Sequence, residues 1–495
     1  MRFIFIIAVC CSISVTVHAR QKKYELNARC QQAYDAIMQL RLNTGRAILE
    51  EEKHSNPDNL LPYFLDNYID FFTLFFNEDP AAYASQRKQR AARLDMLSQG
   101  PSDSPWYLYT QAALKFQWAI VRVKFGEKWD AVWEIRKSYL TLKENQRKFP
   151  GFQPNNMMVG AMQTVFGTVP EGYKWITNIL GLRGSIKDGM NTLQGFIDSH
   201  DPTAVAFREE SYYYYCYLKL FIENKPEQLW QFIQQKKLDT EHNYLFALMV
   251  ANLSMNTQQA AQGIKVLEDF NDTPEYAEVH YHNYVMGIMK LERQDDDAIA
   301  YLEKFVNNFK GKFYVKEALQ RLSWAYYLKG NMAMANKYRS LVTKRGNTET
   351  DADKQAQKEA KSGQWPNPVL LKARLMSDGG QYTAARDLLL AKRAGDFATV
   401  AEKLEYAYRL GRIYDEMGLD SNAMRLYETT IRLGSNRPEY FAARSALQLG
   451  YIYEKAGDKA KARQSFQTCL DMQGHDYKNS LDQRAKAGLL RLDGK

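Results

Sequence analysis

In the stretch LGLRGSIKDGMNTLQ, Gly184 and Gly189 have the spacing of the two glycines in a phosphate-binding loop. Such a loop also needs a lysine and a hydroxyl residue directly after the second glycine, because the lysine contacts the phosphates and the hydroxyl holds magnesium. Met190 and Asn191 occupy those positions instead. We therefore predict close packing of two helices, with Gly184 in the turn, Gly189 at the small position of the second helix and Leu193 at its large position.

A nucleophilic serine is the second chemistry that the sequence suggests. The segments 85–88, 254–256 and 361–363 read Ser-Gln-Arg-Lys, Ser-Met-Asn and Lys-Ser-Gly, in the order used by penicillin-recognising serine enzymes. That fold places Lys-Ser-Gly on a β-sheet, whereas here the element lies in a polar stretch between helical patterns. The spacing therefore does not predict a serine nucleophile.

His280 and His282 form the densest group of candidate metal ligands. They lie two residues apart, so a helix would direct them to different faces, whereas a helical zinc pair needs a spacing of four. Glu278 and His282 share a face but lack a third ligand. We predict no metal site, no cofactor and no catalytic residue, and hence a protein that is not an enzyme.

The composition is typical of a folded, helical protein. The 495 residues are 45% hydrophobic and 25% charged, and only 14 are proline. A chain of this length exceeds one ordinary core and must divide into domains or form a repeat array. The net charge of +9 is spread along the chain among acidic residues, which argues against a nucleic-acid ligand. The densest basic cluster, from Arg87 to Arg93, is expected to form the solvated side of a helix.

Residues 1–19 have the features of a secretory signal, with one basic residue, an apolar stretch and a small residue, Ala19, at the end. We expect cleavage after Ala19 and export to the periplasm or the outer-membrane periphery of a bacterial cell. Retention of the segment as an anchor, or lipid attachment to one of its cysteines, is the alternative. Cys30, Cys216 and Cys469 follow this segment, and we interpret them as small buried residues that form at most one bridge.

The segments 410–427 and 449–466 repeat one pattern 39 residues apart, with Leu-Gly, Tyr, Gly, Ala and an aromatic residue in the same register. Two antiparallel helices need small residues where their backbones approach and large ones at the flanks. The pattern resembles the tetratricopeptide repeat, a helix-turn-helix unit, and the segment 322–338 keeps part of it. The predicted repeat positions are Leu322, Tyr326, Gly330, Ala335, Leu410, Gly411, Tyr414, Gly418, Ala423, Tyr427, Leu449, Gly450, Tyr453, Gly457, Ala462 and Phe466.

This resemblance implies an all-α fold, a right-handed α-solenoid of helical hairpins. Motifs of the form Asn/Asp-x-Pro-Glu at 224–227, 272–275 and 436–439 predict helix starts. The expected domains are a signal peptide at 1–19, degenerate helical hairpins at 20–200, central repeats at 201–344, a polar connector at 345–366, and C-terminal repeats with a capping helix at 367–495.

Residues 169–194 also resemble a segment of the inclusion-body-clearance family of tetratricopeptide-like proteins. The spacing of Gly181, Gly184, Gly189 and Leu193 carries this resemblance, which covers a small part of the chain. It implies a non-enzymatic helical protein.

The predicted function is a non-catalytic scaffold or adaptor of the bacterial cell envelope, which binds a protein or an extended peptide along its concave face. We expect no transmembrane segment in the mature chain, and peripheral membrane association stays open. The alternative is a glycan- or nutrient-binding accessory protein on the same platform, with Trp106, Trp118, Trp129 and Trp133 as candidate contacts. The sequence leaves the partner, the residues of the concave face and the oligomeric state open.

Overall fold

The structure is a computed structural model that describes residues 21–168 and 181–493. Within these ranges the chain is helical, apart from an isolated β-bridge between Lys23 and Asn59. The predicted all-α fold of helical hairpins is thereby confirmed. The predicted signal peptide lies outside the described residues.

The chain divides into two compact units. The N-terminal unit comprises Met1–Phe72 and Ala84–Tyr215, and the C-terminal unit comprises Thr73–Tyr83 and Cys216–Lys495. Helices α3, α4 and α10 cross these boundaries. The first ten described helices are α1 Ala28–Met38, α2 Leu42–Ser55, α3 Leu61–Asn77, α4 Pro80–Leu97, α5 Pro105–Lys124, α6 Lys128–Lys148, α7 Pro154–Phe166, α8 Ile186–Asp198, α9 Pro202–Ala206 and α10 Arg208–Phe221.

The C-terminal unit consists of successive antiparallel hairpins, in which α12 pairs with α13, α14 with α15, α16 with α17, α19 with α20, α21 with α22, and α23 with α24. A short 3-10 helix, Ala394–Asp396, precedes α21. The helices are α11 Pro226–Lys236, α12 Tyr244–Asn256, α13 Ala260–Asp269, α14 Tyr281–Glu292, α15 Ala298–Asn308, α16 Val315–Leu328, α17 Met332–Val342, α18 Asp351–Ser362, α19 Pro368–Asp378, α20 Tyr382–Leu390, α21 Val400–Glu416, α22 Asp420–Gly434, α23 Phe441–Lys455, α24 Lys459–Asp471 and α25 Lys478–Leu492.

The first helix of each central hairpin is enclosed on all sides. Helix α12 has the sequence YLFALMVANLSMN, and each of its residues from Tyr244 to Ser254 is buried. A helix that is hydrophobic around its circumference belongs in a protein interior. Helix α12 contacts α14, and α14 contacts α16, so these first helices form one continuous layer.

The segment 345–366 differs from the exposed polar connector that its composition predicts. Residues 351–362 form helix α18, which packs against α16. Asp353 is fully buried, and its carboxylate accepts hydrogen bonds from the backbone N–H groups of Tyr314 (2.8 Å) and Glu317 (3.0 Å). Helix α18 therefore supplies the N-terminal cap of α16 from 36 residues away.

We expect Asp353→Ala to lower the free energy of unfolding of the C-terminal unit by about 1–3 kcal/mol, because one buried and one half-buried N–H group lose their acceptor. Urea denaturation followed by tryptophan fluorescence measures the loss. Asp351→Ala is the matched control, since Asp351 lies in the same helix, is exposed and pairs only with Lys354. An equal loss in both variants would contradict the capping role.

The basic cluster from Arg87 to Arg93 is solvated at Arg87 and Lys88, as predicted, whereas Arg90 and Arg93 are half-buried. In the N-terminal unit, Arg90 forms an ion pair with Glu134, and Arg93 lies 2.5 Å from Asp70. These pairs join α4 to α6 and to α3. Arg90 and Arg93 thus hold neighbouring helices together.

A buried carboxylate lies at the centre of the N-terminal unit. Glu210 in α10 accepts hydrogen bonds from the hydroxyls of Tyr34 (2.7 Å), Tyr68 (3.0 Å) and Tyr214 (2.8 Å). Burial raises the pKa of Glu210, and the three hydrogen bonds oppose that shift. One polar side chain thereby links α1, α3 and α10.

Helices α7 and α8 pack through their glycines. A Cβ atom on Gly189 would lie 2.7 Å from the carbonyl oxygen of Gly160, and one on Gly160 would lie 2.9 Å from the carbonyl oxygen of Gly189. Neither position has room for a side chain. For residues 181–193 this confirms helix packing in place of a phosphate loop; residues 169–180 lie outside the described residues.

Candidate binding surface

The repeat glycines lie where the two helices of a hairpin meet. A Cβ atom on Gly450 in α23 would lie 2.4 Å from the ring of Phe466 in α24, and one on Gly411 in α21 would lie 3.1 Å from the ring of Tyr427 in α22. Both aromatic rings are fully buried. Each pair therefore fixes how closely its two helices approach.

The turns between the repeat helices use glycine in the left-handed region. Gly418 and Gly457 have φ angles of +71° and +79°, which end the first helix of each hairpin. In the earlier copy Ser323 stands where the later copies have glycine, and its hydroxyl donates a hydrogen bond to the carbonyl of Ala335 (2.9 Å). The serine is therefore accommodated by a bond to the second helix.

The first helices of the C-terminal hairpins form a continuous surface, here called the first-helix face and defined as the shared side of α19, α21, α23 and α25. Helix α19 contacts α21, α21 contacts α23, and α23 contacts α25. Side chains from consecutive hairpins therefore lie next to one another on this face.

A polar cleft of about 210 Å³ opens on the first-helix face. This volume accommodates one or two side chains and is below the roughly 300 Å³ of small-molecule sites. Four guanidinium groups and one carboxylate contribute to its wall. The lining residues are Gln258, Arg374, Ser377, Asp378, Tyr408, Arg409, Arg412, Tyr440 and Arg444.

Two of the four arginines have close carboxylate partners. Arg409 donates to Glu405 (2.6 Å) one turn earlier in α21, and Arg412 lies 3.4 Å from Asp415 in the same helix. These local pairs hold the two side chains on one face of α21.

Of the other two arginines, Arg374 forms only longer ion pairs and Arg444 has one nitrogen without an acceptor. Arg374 lies 3.7 Å from Asp378 and 3.9 Å from Glu359, too far for a hydrogen bond, and its guanidinium stacks over the ring of Trp324 at 5.1 Å. The Nε atom of Arg444 is buried and has no acceptor among the described residues. Guanidinium nitrogens of Arg90, Arg122, Arg208 and Arg321 are in the same situation, so this feature is not specific to the cleft.

Positive charge continues beyond the cleft onto α25. Burial lowers the pKa of the Arg484 guanidinium, and the neighbouring Arg444 lowers it further. Burial and Arg374 both act to lower the pKa of the Arg409 guanidinium, but nearby acidic groups, chiefly Glu405, raise it overall. An anion placed between these guanidinium groups would relieve their mutual repulsion.

Residues 443–476, which cover most of α23 together with α24, match the tetratricopeptide repeat. This match includes the Gly450–Phe466 contact described above. The hairpin of α23 and α24 is thus similar to a tetratricopeptide repeat. No curated protein matches the chain. A similar solved structure is the crystal structure of the P58(IPK) TPR domain, which is 13% identical, with 86% of this chain and 96% of that chain covered and a TM-score of 0.23.

The polar cleft was not predicted from the sequence. Its arginines do not recur at equivalent positions of the two repeats. For example, Arg409 precedes the first repeat segment, 410–427, whereas Gln448 stands at the equivalent position before the second, 449–466. The only local signal is Arg409 and Arg412, which share a helix face at a spacing of three. The contribution of Gln258 comes from a distant turn and has no local signal.

The structure places the other residues considered for catalysis or metal binding, the histidine pair and the serine motifs, within its helical framework. The Nδ1 atom of His282 is 3.1 Å from the hydroxyl of Tyr244, and burial lowers the pKa of His282 to about 4. The Lys-Ser-Gly element ends helix α18 and does not lie in a sheet, and Ser254 is buried within α12. Within the described ranges, no cluster of three His, Cys, Asp or Glu side chains could hold a metal ion.

The four candidate tryptophans fall into two classes. Trp106 and Trp118 are buried in α5, and the indole N–H of Trp118 donates to Asn67 (2.8 Å). Trp129 and Trp133 lie one turn apart in α6 and are 82% and 50% exposed. Only this second pair is available to a ligand.

The cysteines at 30, 216 and 469 are free and buried. Burial raises the pKa of each thiol, which disfavours the reactive thiolate. Among the described helices, none is both long and apolar enough to cross a membrane.

Proposed function

We propose that this protein is a scaffold of the bacterial cell envelope that binds an extended segment of a partner protein along the first-helix face. The observation that carries the proposal is a polar cleft built from three consecutive first helices, in which four arginines line the wall and the buried Nε atom of Arg444 has no acceptor among the described residues. The tetratricopeptide repeat supports a protein-interaction scaffold in general.

Several features of the cleft favour a protein segment as its ligand. The cleft is too small for most cofactors, and it lies on a surface that continues across α19, α21, α23 and α25. An extended peptide can place one side chain in the cleft and run along neighbouring hairpins. Tyr408 and Tyr440 at the cleft wall supply rigid contact area that suits such an interface.

The proposed location in the envelope rests on residues 1–19. Their apolar stretch and small-residue ending are typical of an export signal. Fractionation of the native cell with a C-terminal tag tests this location. Recovery of the tagged chain only from the cytoplasm would contradict it.

Mild crosslinking of the tagged chain in the native cell, followed by mass spectrometry of the soluble and membrane fractions, tests the scaffold. We expect one partner protein in near-equal amount. The control is the same tag exported by residues 1–19 alone. Recovery of no protein above this control would contradict the scaffold.

The exposed pair Trp129 and Trp133 favours a second candidate, a glycan-binding accessory protein. Two indole faces one turn apart on α6 provide a platform on which sugar rings can stack. A glycan-array signal that is lost in Trp129→Ala would support this function. An array without any signal would leave the scaffold as the proposed function.

A further inference from the structure

The hairpin of α5 and α6 exposes a group of apolar side chains near its turn. Val123 lies in the last turn of α5, and Trp129, Val132 and Trp133 lie in the first two turns of α6. These four residues define the α5–α6 tip, and their exposed fractions range from 38% to 82%, with Trp129 the most exposed. The outer side of a helix normally carries polar residues, so this group indicates a contact surface.

The inner side of α6 explains why the two indoles point outwards. Ala131, Glu134 and Ser138 are buried and lie three or four residues apart, so they share one side of the helix. The hydroxyl of Ser138 donates a hydrogen bond to the carbonyl of Ala112 in α5 (2.8 Å). This packing fixes the rotation of α6 and leaves the side with Trp129 and Trp133 exposed.

The excess of positive charge in the chain is concentrated around this hairpin. Residues 84–148, which comprise most of α4 together with α5 and α6, contain 13 lysines and arginines and six aspartates and glutamates. Their net charge is therefore +7, compared with +9 for the whole chain. Basic residues occur along the whole sequence, but most of their excess over acidic residues lies here, next to the apolar tip.

The carboxylates at the tip already lie close to arginines. Glu127 is 3.3 Å from Arg87 of α4 and 3.7 Å from Arg122 of α5, and Asp130 is 3.8 Å from Arg122. The contact of Arg87 with Glu127 also places the solvated part of the α4 basic cluster, which includes Lys88, beside the tip. An anionic surface would therefore meet the apolar residues and the basic residues together.

From this geometry we infer that the α5–α6 tip binds the surface of an anionic phospholipid membrane, with Trp129 and Trp133 inserted among the headgroups. Indole rings favour the membrane–water interface, because they are apolar and yet keep an N–H that can donate a hydrogen bond there. Lysine and arginine next to such an apolar group are attracted to anionic lipids. This inference goes beyond the scaffold function and does not depend on it.

The exposure of Trp129 favours a membrane over a sugar or a nucleobase. An indole that is 82% exposed has little protein around it, so a single ring stacked on it would be enclosed on one side only. A membrane surrounds a side chain that enters it. Val132 gains free energy by leaving water but offers no face for stacking, and a neutral sugar would make no use of the positive charge around the tip.

The test measures cosedimentation of the full chain, as the native cell produces it, with lipid vesicles at 50 mM salt. One set of vesicles contains equal parts of phosphatidylglycerol and phosphatidylcholine, and the other contains phosphatidylcholine alone. We expect at least tenfold tighter binding to the anionic vesicles, because each basic residue near such a membrane strengthens binding by about fivefold. Equal binding to both sets, or no binding to either, would overturn the inference.

Trp129→Ala should weaken binding to the anionic vesicles at least fivefold. It should fold normally because the side chain is largely exposed, which circular dichroism checks. Leu433→Ala is the matched control, since Leu433 of α22 is an apolar residue that is 54% exposed, and its binding should be unchanged. All variants share the same N-terminus, so residues 1–19 contribute equally to each comparison. Equal weakening in the two variants would overturn the role of the tip.

The charge around the tip is tested in the same assay. Lys137 is exposed one turn after Trp133, and Lys137→Gln should weaken binding to the anionic vesicles by about fivefold. Lys403→Gln removes the same charge from an exposed position of α21 and should have no effect. Equal weakening by both lysine variants would contradict a local contact. Trp129-dependent binding of a glycan or a labelled oligothymidylate by a chain that binds neither set of vesicles would overturn the inference in favour of that ligand.

Discussion

Replacing Glu210 by alanine is expected to destabilise the N-terminal unit by about 3–5 kcal/mol. The change leaves the hydroxyls of Tyr34, Tyr68 and Tyr214 without their shared acceptor in a buried site. Each unpaired buried hydroxyl costs about 1–3 kcal/mol, and a cavity adds to the loss. Urea denaturation followed by circular dichroism measures the effect.

Glu144→Ala is the matched control, because Glu144 is an exposed glutamate of α6 in the same unit. Its stability should stay within about 0.5 kcal/mol of the wild type. Equal midpoints for the two variants would show that the tyrosine cluster does not support the fold.

Glu210 also makes the stability of the N-terminal unit depend on pH. Burial raises its pKa in the folded state above the ordinary value of 4.5, so the folded state holds the proton more tightly than the unfolded state does. The resulting stabilisation is complete below pH 4.5 and is lost as the pH rises through the folded-state pKa. Glu210→Gln, which does not titrate, should lack this part of the profile.

Gly450→Ala is expected to destabilise the C-terminal unit by about 2–3 kcal/mol. The added methyl group would lie 2.4 Å from the ring of Phe466, and that ring is fully buried and cannot move aside. At the equivalent position of the preceding hairpin the approach is 3.1 Å, so Gly411→Ala should cost less than about 1 kcal/mol. Thermal unfolding of both variants measures the difference.

Gly195→Ala is the control for a glycine replaced within a helix. A Cβ atom at Gly195 meets nothing within 4 Å, so we expect no loss and a gain of up to about 1 kcal/mol from helix propensity. A Gly450→Ala protein as stable as Gly195→Ala would contradict the proposed repeat register. Gly450→Arg should then also be tolerated, whereas the structure leaves no room for it.

The hairpins could be predicted because their signals are local. Leucine, glycine and tyrosine at fixed offsets describe one helix face, and a small and an aromatic residue describe the facing helix. The motif at 224–227 correctly marks the start of α11 at Pro226. The motifs at 272–275 and 436–439 were wrong, because the helices begin later, at Tyr281 and Phe441, and the same residue types also suit turns.

Helix α18 and the polar cleft could not be predicted, because they depend on tertiary contacts that the spacing of residues in the sequence does not show. Helix α18 has a polar sequence, and it is held by the tertiary bonds of Asp353 and by the buried Ala356. The polar cleft assembles from three first helices and one distant turn. Arg444 in particular is an ordinary helix residue in the sequence, and only the packing of α21, α23 and α25 gives it neighbours of like charge.

The ring of Phe466 has a consequence for how this chain can change during evolution. It faces Gly450 on one side, and a Cβ atom on Gly488 of α25 would lie 2.5 Å from the same ring. Substitution of either glycine alone is destabilising while phenylalanine is present. Positions 450, 466 and 488 should therefore co-vary among homologues. Phe466 should be replaced by a smaller residue before either glycine is replaced by a residue with a side chain.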